Sequence, residues 1–144
     1  MVSKESKYRL SVKAFIMNEN SEILIIKRSE KLKNTPNVWE LPGGKIIPGN
    51  DPFQALIDET KKETSIEINI LHPLSVRHFK RDNGEIITMI VFFCNPISSK
   101  VKLGERHSDH KWANIDQASK LLSPFFKYEI AMYKNLKNGH YHHI

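Results

Sequence analysis

The chain has 144 residues, 40% of them hydrophobic and 26% charged, with a formal net charge of +6. That length suits one domain with one core, and the composition is that of a soluble globular protein rather than a membrane-spanning one. Cys94 is the only cysteine, which excludes an intrachain disulfide framework and a cysteine-built zinc site.

Residues Met1 to Arg9 are polar and charged, with no apolar segment of the kind a secretory leader carries, so the cytoplasm is the expected location. Apolar runs such as Ile86 to Cys94 are too short to cross a bilayer. The positive balance favours anionic partners. Its lysines are spread along the chain, with small clusters at Lys31 to Lys33 and Lys134 to Lys137, and no stacking aromatics accompany them. Nucleic acid is therefore not the expected partner.

In chain order, Leu10 to Met17 reads as a strand, Asn18 to Ser21 as a polar turn, and Glu22 to Arg28 as a buried strand, together a hairpin. Ser29 to Asn37 reads as an exposed loop, and Val38 to Leu41 as a short strand entering Gly43-Gly44. Asp51-Pro52 is a helix start, with Asp51 as the cap and Pro52 at the first helical position. Phe53, Leu56, Ile57, Thr60 and Thr64 share one face of that helix, which should end near Thr64 or Ser65. Ile66 to Lys80 reads as extended, with a break at His72-Pro73, then a turn at Arg81 to Gly84 and a central apolar strand from Glu85 to Asn95. Ser98 to Ser108 reads as a loop and Lys111 to Ile115 as a strand. A short helix follows, capped by Asp116 and running through Leu122. Ser123-Pro124 opens a last helix to about Leu136, and 138–144 is expected to fray. This pattern predicts a single α+β domain, an α/β/α sandwich with a mixed β-sheet between helices.

The chemistry concentrates around Gly43 and Gly44. Adjacent glycines let the backbone approach a ligand closely, and a carbonyl turned outward there can bind a hard cation. Glu59 and Glu63 lie four residues apart on the following helix, so they share one face. Two carboxylates and a carbonyl make a plausible Mg²⁺ or Mn²⁺ site, with water and phosphate oxygens completing the shell. A metal there would neutralise a pyrophosphate and help activate water. Lys45 follows the glycines closely enough to reach a phosphate, and Lys62 stands beside the two glutamates.

These residues resemble the Nudix hydrolase family, whose signature is Gly, five residues, Glu, seven residues, Arg-Glu-apolar-x-Glu-Glu-x-Gly-apolar. Gly44 takes its first position, and Glu59 and Glu63 match two of its glutamates. Ile23 to Arg28, Val38 to Lys45, and His107 to Trp112 followed by Asp116 to Ala118 resemble the family outside that box, so about residues 8 to 136 are covered. Four positions depart: Asn50 for a glutamate, Asp58 for the arginine, Lys62 for the first of the paired glutamates, and Ser65 for the glycine. Asp58 and Lys62 reverse a charge pair and should still bridge across one turn. The resemblance implies a Nudix-like fold and a metal-dependent pyrophosphohydrolase. Its substrate would be a nucleoside triphosphate or another nucleoside-diphosphate-linked compound. Glu59 and Glu63 would be catalytic and would bind metal, the Gly43 carbonyl would be a further ligand, and Arg28 would lie near substrate phosphates. Glu105 and Asp109 are candidates for the acidic ligand that the family draws from its late loop. The residues leave a second reading open: a nucleotide or phosphometabolite binding module that has lost turnover, with Lys62 and Arg28 gripping phosphate.

Overall fold

The computed structural model describes residues 7–139. Strand β1 spans Tyr8–Ile16 and β2 Glu22–Arg28. Short strands β3 (Trp39–Glu40) and β4 (Gly43–Lys45) lead into helix α1 (Pro52–Thr64). Strands β5 (Ile68–Lys80), β6 (Ile86–Pro96) and β7 (His107–Asn114) follow, then helix α2 (Ile115–Leu121), a 3-10 turn at Pro124–Phe126, and helix α3 (Lys127–Lys137). Four strands form a mixed sheet in the order β4-β1-β6-β5, and three form an antiparallel sheet in the order β3-β2-β7. This is the expected α+β sandwich.

Alternation along the strands builds two apolar clusters. Phe15, Ile23, Ile25, Met89 and Val91 point to a cluster closed by Ala118 of α2, and by Phe126 and Ile130 at the C-terminal end. Val12, Ala14, Leu24, Ile26, Phe92 and Cys94 point the other way, to a cluster closed by Leu56 of α1 and Ile66. Strands covered on both faces read as continuous apolar runs, which is why β2 and β6 carry so few polar residues. Cys94 sits in the second cluster, where burial pushes its thiol up to about 12. It is an inert core residue.

Helix α1 is capped as its sequence dictates: the Asp51 side chain accepts from the Phe53 N–H at 2.8 Å, and Pro52 fills the first position. It closes at Ser65, held at φ 64°, with the Ser65 N–H on the Lys61 carbonyl. Of the face expected to be buried, Leu56, Thr60 and Thr64 are covered, whereas Phe53 is exposed and leans on the Phe92 ring at 5.3 Å. The extended segment after α1 breaks where expected: the β5–β6 register shifts on either side of His72-Pro73, because proline cannot donate to the ladder. Near the other end of the chain, Glu129 is wholly buried on α3. It is bonded by Ser75 at 2.7 Å and by Arg77, fixing α3 to β5.

Three local expectations are corrected. The β1–β2 hairpin reduces to a tight turn and one bridge, Met17 to Ile23. Both sides of β1 are taken by β6 and β4, so β2 has nowhere to pair and joins β7 and β3 instead. Helix α2 is capped by Asn114 rather than Asp116. The Asn114 side chain accepts from the Gln117 N–H while the Gln117 side chain accepts from the Asn114 N–H, a reciprocal pair that places Asp116 inside the first turn. The late loop is shorter than expected, since β7 starts at His107. Of the tail expected to fray, 140–144 lies outside the described residues, as does the His140 to His143 run.

Candidate functional site

Gly43 is fixed by two constraints at once. Its φ is +125°, and a Cβ there would stand 2.1 Å from the Val12 carbonyl oxygen. Only glycine lets β4 lie this close to β1. Gly44 has no such neighbour, so one of the two glycines carries the requirement. The Gly43 N–H, turned toward α1, donates to Glu63 Oε1 at 2.8 Å. Glu63 thus reaches back across the loop and lies buried, with Glu59 one turn earlier and partly covered. Burial raises the Glu63 carboxyl above its ordinary range and the neighbouring Glu59 charge adds to this. Lys13, the Gly43 N–H and His107 act in the opposite direction.

Sheet register brings four further side chains to the same place. Lys13 of β1 lies opposite Gly43 of β4. Strand β2 pairs Ile26 with Glu40 on one side and Arg28 with His107 on the other. Glu40 is the hub. Its Oε2 accepts from His107 Nε2 at 2.8 Å and from Arg28 Nη1 at 3.4 Å, and its Oε1 accepts from Lys13 Nζ at 3.3 Å. Burial opposes ionisation of Glu40, but the His107 hydrogen bond and the charges of Lys13 and Arg28 outweigh it and hold the carboxyl at about 2. With Glu40 ionised, the His107 proton sits on Nε2. Among the described residues Nδ1 is buried with no hydrogen-bond partner, and Nε2 also stands 4.0 Å from Glu63 Oε2. Lys13 Nζ donates to the Leu41 carbonyl at 3.1 Å and to the Gly43 carbonyl at 3.3 Å.

The structure therefore brings Gly43, Glu59, Glu63 and Arg28 together, and places the other candidates elsewhere. Arg28 is held at the edge of the cluster by Glu40 and by the Asn34 carbonyl at 3.0 Å. Lys45 is drawn away to Glu85, at 2.7 Å, and makes no bond to this cluster. Lys62 is exposed on α1. The Asp58–Lys62 bridge does not form among the described residues; Asp58 is taken by Gln54 at 2.9 Å. Glu105 is exposed in the turn before β7, and Asp109 caps the His110 N–H on the exposed side of β7. In their place stand Lys13, Glu40 and His107, which spacing does not reveal. A lone lysine between Val12 and Ala14 was the available signal, because a charge in a buried strand demands a partner.

The oxygen donors suit a hard divalent cation in kind. Two carboxylates and the Gly43 carbonyl, with waters in the remaining positions, meet what Mg²⁺ asks of a protein. Among the described residues no group of three or more His, Cys, Asp or Glu side chains converges as a metal cage. A centre here would thus lean on that backbone carbonyl. No helix among the described residues is long and apolar enough to cross a membrane.

Comparison with known proteins gives the family. The family model described as NUDIX domain matches residues 7–136. Nudix hydrolase 5 of Arabidopsis thaliana is 24% identical over 115 residues, covering 78% of this chain and 38% of the relative. The chain thus spans well under half the length of that relative. A mouse (Mus musculus) bis(5'-nucleosyl)-tetraphosphatase (asymmetrical) is 22% identical over 130 residues, covering 85% of this chain and 81% of the relative. Among solved structures, the MutT protein from Methanosarcina mazei Go1 superposes with a TM-score of 0.82 at 26% identity, covering 94% of this chain and 99% of that one. Nudix enzymes generally use divalent metals, and the glycine–glutamate centre described above lies inside the matched region. The chain belongs to the Nudix domain family.

Proposed function

We propose that this protein is a pyrophosphohydrolase acting on a small nucleoside-diphosphate-linked compound or nucleoside triphosphate. The observation that carries the reading is the Gly43–Glu63 bond: a position that only a residue without a side chain can fill and a buried helix carboxylate held together, with Glu59 beside them. The mouse relative is named for cleavage of a dinucleoside tetraphosphate, which supports a phosphoanhydride substrate.

In this reading Gly43 O, Glu59 and Glu63 hold Mg²⁺ or Mn²⁺, which when bound neutralises the pyrophosphate and acidifies the attacking water. The remaining work belongs to the chain. Either Glu59 or Glu63 would orient or deprotonate the water that attacks phosphorus. The P–O bond of the anhydride breaks, and the leaving phosphate departs with the electron pair. Arg28, steadied by Glu40 and the Asn34 carbonyl, offers its guanidinium to the phosphates at the mouth of the site. Lys62, exposed one turn from Glu59, adds a second positive charge.

The decisive assay is release of phosphate or nucleoside monophosphate from a nucleotide panel, with and without Mg²⁺ or Mn²⁺. Glu63→Gln should lower turnover by about a hundredfold or more. Unchanged turnover in that variant would refute the assignment. A second reading, a nucleotide-binding module without turnover, is favoured by one observation: lysine stands at position 62, where the family signature has a glutamate. Tight nucleotide binding with no product release would select it.

A further inference from the structure

The ammonium of Lys13 has three protons to donate, and the structure supplies three acceptors: Glu40 Oε1 at 3.3 Å, the Leu41 carbonyl at 3.1 Å and the Gly43 carbonyl at 3.3 Å. Its side chain is 12% exposed, so these oxygens largely replace its hydration. One of the three is the Gly43 carbonyl, the backbone ligand of the proposed metal centre. Lys13 and Gly43 are also opposite one another in the β1–β4 ladder, so the strand pairing itself brings the ammonium to that carbonyl. An ammonium that left the site would give up all three of these acceptors at once.

From this geometry we infer that Lys13 is a resident cation of the Nudix centre, and that its ammonium and a divalent metal are alternative occupants of the oxygens around Gly43. The inference rests on the reading of Gly43, Glu59 and Glu63 as metal ligands. A divalent ion on the Gly43 carbonyl would stand within a few ångströms of the ammonium, in a partly desolvated site where like charges repel strongly. Metal entry therefore requires Lys13 to swing off the carbonyl. The side chain has four methylenes to do so and a second anchor, Glu40, to remain on. Lys13 holds Glu40 and the Leu41 and Gly43 carbonyls in place before the metal arrives, and it sets a high metal concentration as the threshold for loading. It is a positioning residue: it touches one ligand of the metal, the Gly43 carbonyl, and need not touch the substrate.

The test is Mn²⁺ binding to the full-length protein freed of metal, followed by the loss of the free-ion paramagnetic resonance signal. Lys13→Met keeps most of the side-chain volume and removes the charge. It should tighten Mn²⁺ binding by at least about tenfold, while Lys13→Arg stays at or below the wild-type affinity. Unchanged or weaker binding in Lys13→Met overturns the inference. In the wild-type protein, selectively labelled lysine side chains give a readout that does not depend on a variant's folding. The Lys13 Nζ resonance should move as Mg²⁺ is added and saturate with the same midpoint as binding, and a resonance that stays fixed through saturation also overturns the inference. Hydrolysis measured in parallel separates the two claims. Tighter binding in Lys13→Met without wild-type turnover on any nucleotide supports the resident cation and defeats the hydrolase. Metal-dependent turnover with no gain in Lys13→Met does the reverse.

Discussion

Replacing Glu40 by glutamine removes the hub of the buried cluster and keeps its shape. Glu40 is pulled from an ordinary 4.5 to about 2, and its side chain is only 12% exposed, so little of the effect is screened away. That displacement corresponds to about 3 kcal/mol of folding stability at neutral pH. Breaking a buried ion pair by deleting one partner costs about 3–5 kcal/mol, which agrees. A lowered carboxyl stabilises the fold above its unfolded value and loses that contribution as pH falls through its folded value. The window for Glu40 is therefore pH 4.5 down to about 2. Urea unfolding of wild type and Glu40→Gln, run at neutral pH and again near pH 3, should show a difference of about 3 kcal/mol shrinking to about 1.5 kcal/mol. Other groups that titrate in this range cancel in the difference. A gap under about 0.5 kcal/mol at neutral pH, or a gap that does not narrow in acid, would refute the argument that Lys13, Arg28 and His107 converge on this carboxylate.

Two further outcomes follow from the same geometry. Glu63 is raised rather than lowered, so its contribution to stability is complete below 4.5 and is lost as pH rises through its folded value. Glu63→Gln should therefore melt at or above the wild-type temperature at neutral pH while losing hydrolysis, and a neutral-pH loss of stability that vanishes in acid would contradict this sign. Gly43→Ala forces a Cβ to 2.1 Å from the Val12 carbonyl at φ +125° and should cost more than about 3 kcal/mol, whereas Gly44→Ala, with nothing within 4 Å, should stay within about 1 kcal/mol; thermal melts of the two variants compare them directly.

The parts of the fold that were legible are those with local causes. Asp51-Pro52 starts α1 because cap and proline act within three residues, and Asn83-Gly84 turns β5 into β6 for an equally local reason. The β1–β2 hairpin misleads because pairing is decided by distant strands. Nine residues of β1 pair in parallel with β6, and no signal near Asn18 announces that. The site divides in the same way. Gly43, Glu59 and Glu63 sit on one short strand and the helix that follows it, so spacing draws attention to them. Glu40 meets Lys13 across 27 residues and His107 across 67, and only sheet register brings them together. Lys45 illustrates the converse: adjacency to the glycines suggested phosphate contact, but its side chain is bonded to Glu85, forty residues away in sequence.

The charge balance of the site links its two proposed readings. Lysine at 62 in place of a carboxylate is two charges more positive at that position, a change that Asp58 in place of the arginine offsets one turn earlier, and Lys13 adds a cation inside the cluster. Each such change acts in opposite directions on the two ligands of the reaction, weakening the hold on a divalent metal and strengthening the hold on an anionic phosphate. Arg28 and Lys62 are oriented toward the phosphates in this reading, while the acidic donors are reduced to a minimal set that shares its backbone carbonyl with an ammonium. Catalysis and retention of the nucleotide are then two ends of one electrostatic equilibrium. Its position is set by how readily Lys13 yields the Gly43 carbonyl, because that one oxygen is wanted by both cations.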